Sequence, residues 1–151
     1  MSRSLVPLLI TLLSLTPLSS RASFDDDEDH GLVVIRGRAV CLDAGGRPVD
    51  SLFACTTNSR FGFASKDGKL YKFLPTDTTG MFTDIRVRQR DLQVTARLHG
   101  DAQLEIINVQ SIKAGKLYDI YYFCEVCNIK AYAPGPCPCC RNELEFRETP
   151  P

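Results

Sequence analysis

The chain has 151 residues, of which 44% are apolar and 9% aromatic, with 18 basic and 18 acidic side chains. That length serves one ordinary domain, or a small domain with an appendage, and the apolar content excludes a disordered chain. The charge balance excludes the concentrated basic footprint that non-specific nucleic-acid binding needs.

The amino terminus carries Arg3, then an apolar run from Leu5 to Leu18, then Ser20-Arg21-Ala22. A positive start, an apolar centre and small residues before a cut after Ala22 form the order of a secretory signal peptide over residues 1–22. The apolar run of about 14 residues falls short of the roughly 20 that span a bilayer, so an uncleaved anchor is the lesser reading. Removing this segment takes away Arg3 and Arg21 and no acid, which leaves 16 basic against 18 acidic side chains. The expectation is an exported protein, periplasmic or secreted, with no membrane span after cleavage. Residues 23–30 contain Asp25-Asp26-Asp27-Glu28-Asp29-His30, which reads as a solvated, disordered leader rather than a cation site, because like charges repel.

From Gly31 the pattern turns to strand. Leu32 to Cys41 reads as extended, and Gly45-Gly46-Arg47-Pro48 as a turn. Phe61–Ala64 and Lys69–Leu74 flank Asp67-Gly68, a hairpin signal because both residues tolerate positive φ. Asp77 to Phe82 predicts one short helical turn, capped by Thr76 or Asp77. Leu92, Val94, Ala96 and Leu98 alternate with polar residues, break at His99-Gly100-Asp101 and resume as Leu104, Ile106, Ile107, Val109 and Ile112, a second hairpin. Five strands over residues 31–113 with one helical turn before the fourth favour a small closed barrel of the oligonucleotide/oligosaccharide-binding type, with an open sandwich second. Ala114-Gly115 reads as a hinge, and Leu117 to Phe123 as a further strand opening a separate unit over residues 117–148.

That unit carries the one chemical motif. Cys124-Glu125-Val126-Cys127 is followed after nine residues by Cys137-Pro138-Cys139-Cys140. Two thiolates two residues apart can face one ion when the chain turns tightly and aims backbone amides at the sulfurs, and two such turns complete a tetrahedron. Asn128 to Tyr132 reads as a strand, Ala133-Pro134-Gly135-Pro136 as a reversal and Glu143 to Arg147 as the departing strand, the layout of a zinc ribbon. About 30 residues cannot hold themselves by an apolar core, so a metal staple is expected at Cys124, Cys127, Cys137 and Cys140. Zn(2+) in a structural role is favoured; iron takes the same ligand set, and export leaves disulfides open as an alternative. Cys139 is expected to point away from the ion. Cys41 and Cys55 either close a disulfide or remain two buried thiols, and export favours the bridge.

No catalytic constellation is visible. His30 and His99 lack a context for nucleophile activation, and four thiolates leave a zinc ion no open position for water. Arg86, Arg88 and Arg90 alternate with Ile85, Val87 and Gln89, which reads as the solvated face of an amphipathic strand, or a stripe for an anionic ligand. Tyr121, Tyr122 and Tyr132 read as packing at the junction of the two units, or as an exposed aromatic surface.

Gly37-Arg38-Ala39-Val40-Cys41, Cys55, Asp67-Gly68-Lys69-Leu70-Tyr71 and Leu92-Gln93-Val94-Thr95-Ala96 resemble the β-domain of exported bacterial proteins of uncharacterised function with an oligonucleotide/oligosaccharide-binding-like fold. The tail Cys124 to Glu148 is similar to zinc ribbons of related planctomycete-type proteins, departing from them in Arg141, where glycine usually follows the last ligand. The resemblance implies a fold and a metal, and no activity. The expected function is a non-enzymatic binding or scaffolding module, monomeric, with an unknown protein or small-molecule partner and no nucleic acid. The rival is a redox protein, using iron at the same thiolates or thiol–disulfide exchange at Cys139.

Overall fold

A computed structural model describes residues 31–49, 55 and 60–151; the segments read above as a signal peptide and an acidic leader lie outside the described residues. The chain is mainly β, with eight strands in one sheet that is antiparallel apart from a single pairing. The strands are β1 (Leu32–Leu42), β2 (Arg60–Ser65), β3 (Leu70–Phe73), β4 (Leu92–His99), β5 (Gln103–Lys113), β6 (Lys116–Cys124), β7 (Ile129–Ala131) and β8 (Glu145–Thr149). Between β3 and β4 lie a 3-10 helix, Asp77–Thr83, and one turn of α-helix, α1 (Ile85–Arg88).

Five strands close a ring. β1 pairs β4 through Leu32–Gly37 and β2 through Gly37–Leu42, so it changes partner at Gly37. A side chain there would collide with the Ala64 carbonyl oxygen, which is why the crossing point is a glycine. β2 pairs β3, β4 pairs β5, and the parallel contacts Lys72↔Gln103 and Phe73↔Leu104 join β3 to β5. Ala39, Phe63, Val94, Leu104, Met81 and Phe82 fill the ring and are buried.

The alternation in β4 holds as expected, with Leu92, Val94 and Ala96 inward. In β5 it changes phase. Thr95 opposes Asn108 and Ala96 opposes Ile106, so Ile107 is an extra residue and stands 44% exposed. The bulge turns Val109 and Ser111 inward after Leu104 and Ile106, so a fully buried serine sits where the sequence suggested an apolar face.

Two expectations are corrected. Ile85–Arg88 is helical, because Asp84 caps it by accepting the Arg86 amide at 2.8 Å. The three arginines therefore do not share a strand face. Arg88 is buried and donates from Nη1 to the Phe82 and Thr83 carbonyls at 2.6 and 2.9 Å, where a cation satisfies the end of the 3-10 helix. Arg86 pairs with Asp84, and Arg90 reaches Glu148. Ala114-Gly115, in turn, is a two-residue hairpin turn with φ of 47° and 78° at its two residues, closing the β5–β6 register at Lys113↔Lys116. It is a tight link between paired strands rather than a hinge.

β6 extends the sheet beyond the ring. Its first half pairs β5, its second half pairs β7, and β8 runs along its other edge from Asp119↔Thr149 to Phe123↔Glu145. Cys41 and Cys55 stand at disulfide distance, with Cα atoms 5.7 Å apart. Among the described residues no helix is long and apolar enough to cross a membrane.

Candidate metal centre

Strand β6 delivers Cys124 at its last position, buried. Glu125 to Asn128 then turn the chain into β7, whose Ile129 pairs back with Cys124. Asn128 has φ of 54°, a left-handed conformation that asparagine tolerates better than most residues. The second turn repeats this design. Cys137 is fully buried and its amide donates to the Asn142 carbonyl at 2.7 Å. Arg141 donates its amide to the Cys137 carbonyl at 3.0 Å and adopts φ of 66°. The position that lacks glycine thus keeps the left-handed geometry, at the steric cost of a side chain.

The two turns bring Cys124, Cys127, Cys137 and Cys140 together, with all four sulfurs within 4.8 Å of one another. Cys124 Sγ and Cys140 Sγ are 3.5 Å apart, far beyond the ~2.05 Å of a disulfide. A tetrahedral ion with metal–sulfur bonds of about 2.3 Å spaces its sulfurs about 3.8 Å apart, so this cluster fits one metal ion with small adjustments.

Backbone polarity supports the same use. The Cys140 and Cys139 amides donate toward the Cys137 sulfur and bring its pKa down to about 7. The Cys127 amide acts likewise on Cys124, but burial and the Cys140 and Cys137 thiols outweigh it and push Cys124 up. The Cys139 and Cys140 thiols, with burial, push Cys127 up as well. Four sulfurs this close cannot all ionise without a cation among them, which is the electrostatic reason a metal suits the site. Cys139 is exposed, and its thiol lies beside that of Cys127.

The surroundings are organised by β8. Arg147 bonds Glu145 and Glu125, and its guanidinium lies 4.4 Å from the Phe123 ring centroid. Lys130 covers Tyr121 at 4.2 Å. Tyr122 is fully buried and donates its hydroxyl to Asp84 at 2.9 Å, while Tyr132 is 46% exposed. Of the three tyrosines, one is core, one is capped by a lysine and one faces solvent.

Sequence reasoning missed the cluster formed by Ser111, Arg90, Lys113 and Glu148. The Glu148 carboxylate, 7% exposed, accepts from Ser111 at 2.6 Å, from Arg90 through two bonds of 3.1 Å, and from Lys113 at 2.7 Å. Burial alone would raise its pKa, but the Arg90, Lys113 and Ser111 bonds prevail and hold it at about 2. No local signal marks this meeting, because Glu148 lies 37 residues from Ser111.

Comparison of the chain with protein-family models, curated proteins and solved structures returns no match.

Proposed function

We propose that this is an exported zinc protein that acts as a non-enzymatic binding or scaffolding module. The observation that carries the reading is the convergence of four thiols from two matching turns, with amides aimed at the buried sulfurs. Zinc suits a closed set of four thiolates, and in that set its role is to hold the two turns rather than to activate water. The ring is read as a small barrel of the oligonucleotide/oligosaccharide-binding type. Its closure in the order β1-β2-β3-β5-β4, with the helical segment between β3 and β4, supports that reading. The apolar run before Ala22 supports export, and a single chain is the expected unit in solution.

The alternative is a redox protein, with iron at the same thiolates or exchange at Cys139. One observation favours it: an exposed thiol stands beside a metal-ligand sulfur. Elemental analysis and an absorption spectrum of protein purified from the exported fraction separate the two. One equivalent of zinc and no visible absorption are expected. Visible iron–thiolate bands would establish the alternative, and metal-free protein with those sulfurs in disulfides would overturn both.

A further inference from the structure

A cavity of about 680 Å³ opens where β1, β2 and β3 meet the turn after β1 and the 3-10 helix. None of the four clustered cysteines lines it, and it has the size of sites that take small molecules. Phe61, Phe73 and Leu74 form an apolar wall. The two rings are held from behind by Phe82, whose centroid is 4.6 Å from Phe73 and 6.4 Å from Phe61. The wall is therefore built on the buried core rather than on a loose surface loop.

The polar side of the cavity has one sign. Arg60 and Lys72 line it, and among the described residues no acidic side chain does. Several cations elsewhere on the ring are matched by an acid: Arg38 with Asp91, Arg47 with Asp43, Arg86 with Asp84, Arg90 and Lys113 with Glu148, Arg97 with Glu105. Among the described residues Arg60 and Lys72 have no such partner. The nearest loop acid, Asp43, is engaged by Arg47, which donates from its amide and from Nε at 2.9 Å each. Lys72 is also positioned. Its Nζ lies against the turn at Gly46, 3.0 Å from where a side-chain carbon there would stand. Gln103, opposite Lys72 in the parallel pair, adds a neutral hydrogen-bonding group to the same wall.

We propose that this cavity binds a small amphipathic anion, its apolar or aromatic body against Phe61 and Phe73 and its anionic group between Arg60 and Lys72. Two unmatched cations beside an apolar wall attract a ligand that supplies both a charge and a flat apolar surface. The inference rests on the reading of the ring as a binding module and names its ligand class. It is independent of the metal.

The test uses the intact mature protein with its native metal content. The probe is 1-anilinonaphthalene-8-sulfonate, compared with N-phenyl-1-naphthylamine, which has the same rings and no sulfonate. Calorimetric and fluorescence titration should give one sulfonate per chain, bound at least about tenfold more tightly than the neutral compound, a difference of about 1.4 kcal/mol. Lys72→Gln and Arg60→Gln, both at exposed positions, should each weaken sulfonate binding by about fivefold or more and leave the neutral compound unaffected. Unchanged melting temperature and metal content show that the variants fold. Equal binding of the two compounds, no binding of the sulfonate, or sulfonate binding unaltered by both substitutions would each overturn the proposal. A failed titration on protein that holds one zinc leaves the metal reading standing, and the converse result separates them equally well.

Discussion

Glu148, on the last strand, accepts a 2.6 Å hydrogen bond from Ser111, a fully buried residue of the ring strand β5. Arg90 and Lys113 complete the contact, so the carboxyl end of the chain is fastened to the ring by one carboxylate.

Glu148→Gln removes the charge that both cations face. It is expected to destabilise the protein by about 2 kcal/mol, the scale of hydrogen bonds to a charged group. The pH dependence follows from the depressed pKa. The contribution is complete above the ordinary value of 4.5 and is lost as pH falls from there through about 2. Urea unfolding between pH 6 and pH 2 should show the parent and the variant converging towards the acid end. A constant gap between the two curves would deny Glu148 this role.

Thiol counting checks the metal site. The native protein should expose one reactive thiol, Cys139, to an aromatic disulfide reagent; chelation or unfolding should raise the count to the five cysteines outside the Cys41–Cys55 pair. Cys137→Ser should lose the metal and release the remaining thiols at once, because that ligand is fully buried and receives two amides. Five reactive thiols in the untreated native protein would contradict a metal-bound cluster.

Arg141 and Asn128 hold matching left-handed positions and allow a paired experiment. Arg141→Gly is expected to stabilise the metal-bound protein by about 0.5–1 kcal/mol, since relief of strain exceeds the added freedom of the unfolded chain. Asn128→Ala should destabilise it by a similar amount. Thermal melts of the two variants should move in opposite directions; movement in the same direction would show that the backbone conformation is not what limits these turns.

Arg88→Met should cost about 2–3 kcal/mol, because it leaves the Phe82 and Thr83 carbonyls without their donor inside the protein. Arg86→Gln removes a half-exposed guanidinium, while Asp84 keeps its bonds from Tyr122 and from the backbone amide, and should cost about 1 kcal/mol. Equal effects, measured by chemical denaturation, would restore the expectation that these arginines share a solvated face.

Replacing Cys41 and Cys55 with serine is expected to lower stability by about 3 kcal/mol, the chain-entropy value for a loop of their 14-residue separation. Adding reductant to the parent should reproduce the loss, whereas the double variant should not respond to it.

The strands of the ring were legible because Leu92, Val94 and Ala96 alternate and because Asp67-Gly68 marks its hairpin. The clustering of the four cysteines was legible because two residues between thiols is a spacing that little other chemistry requires. Ile85 to Arg90 misled because apolar and basic residues alternate there with a period of two, and the capping oxygen of Asp84 decided the conformation instead. Ser111 was illegible because one bulge residue, Ile107, reverses which side of β5 faces inward. The closure Lys72↔Gln103 and the Glu148 contact join residues far apart in the chain, and no periodicity encodes such meetings.

Strand β6 has a consequence for how the two regions of the molecule move together. One uninterrupted backbone runs from the turn at Gly115 to the first thiol at Cys124, hydrogen-bonded to the ring at one end and to the strands flanking the cysteine turns at the other. It joins the two regions as a splint lashed at two places. The cysteine turns therefore share a backbone with the ring rather than forming a separate lobe, and loosening them loosens a shared beam instead of freeing an appendage.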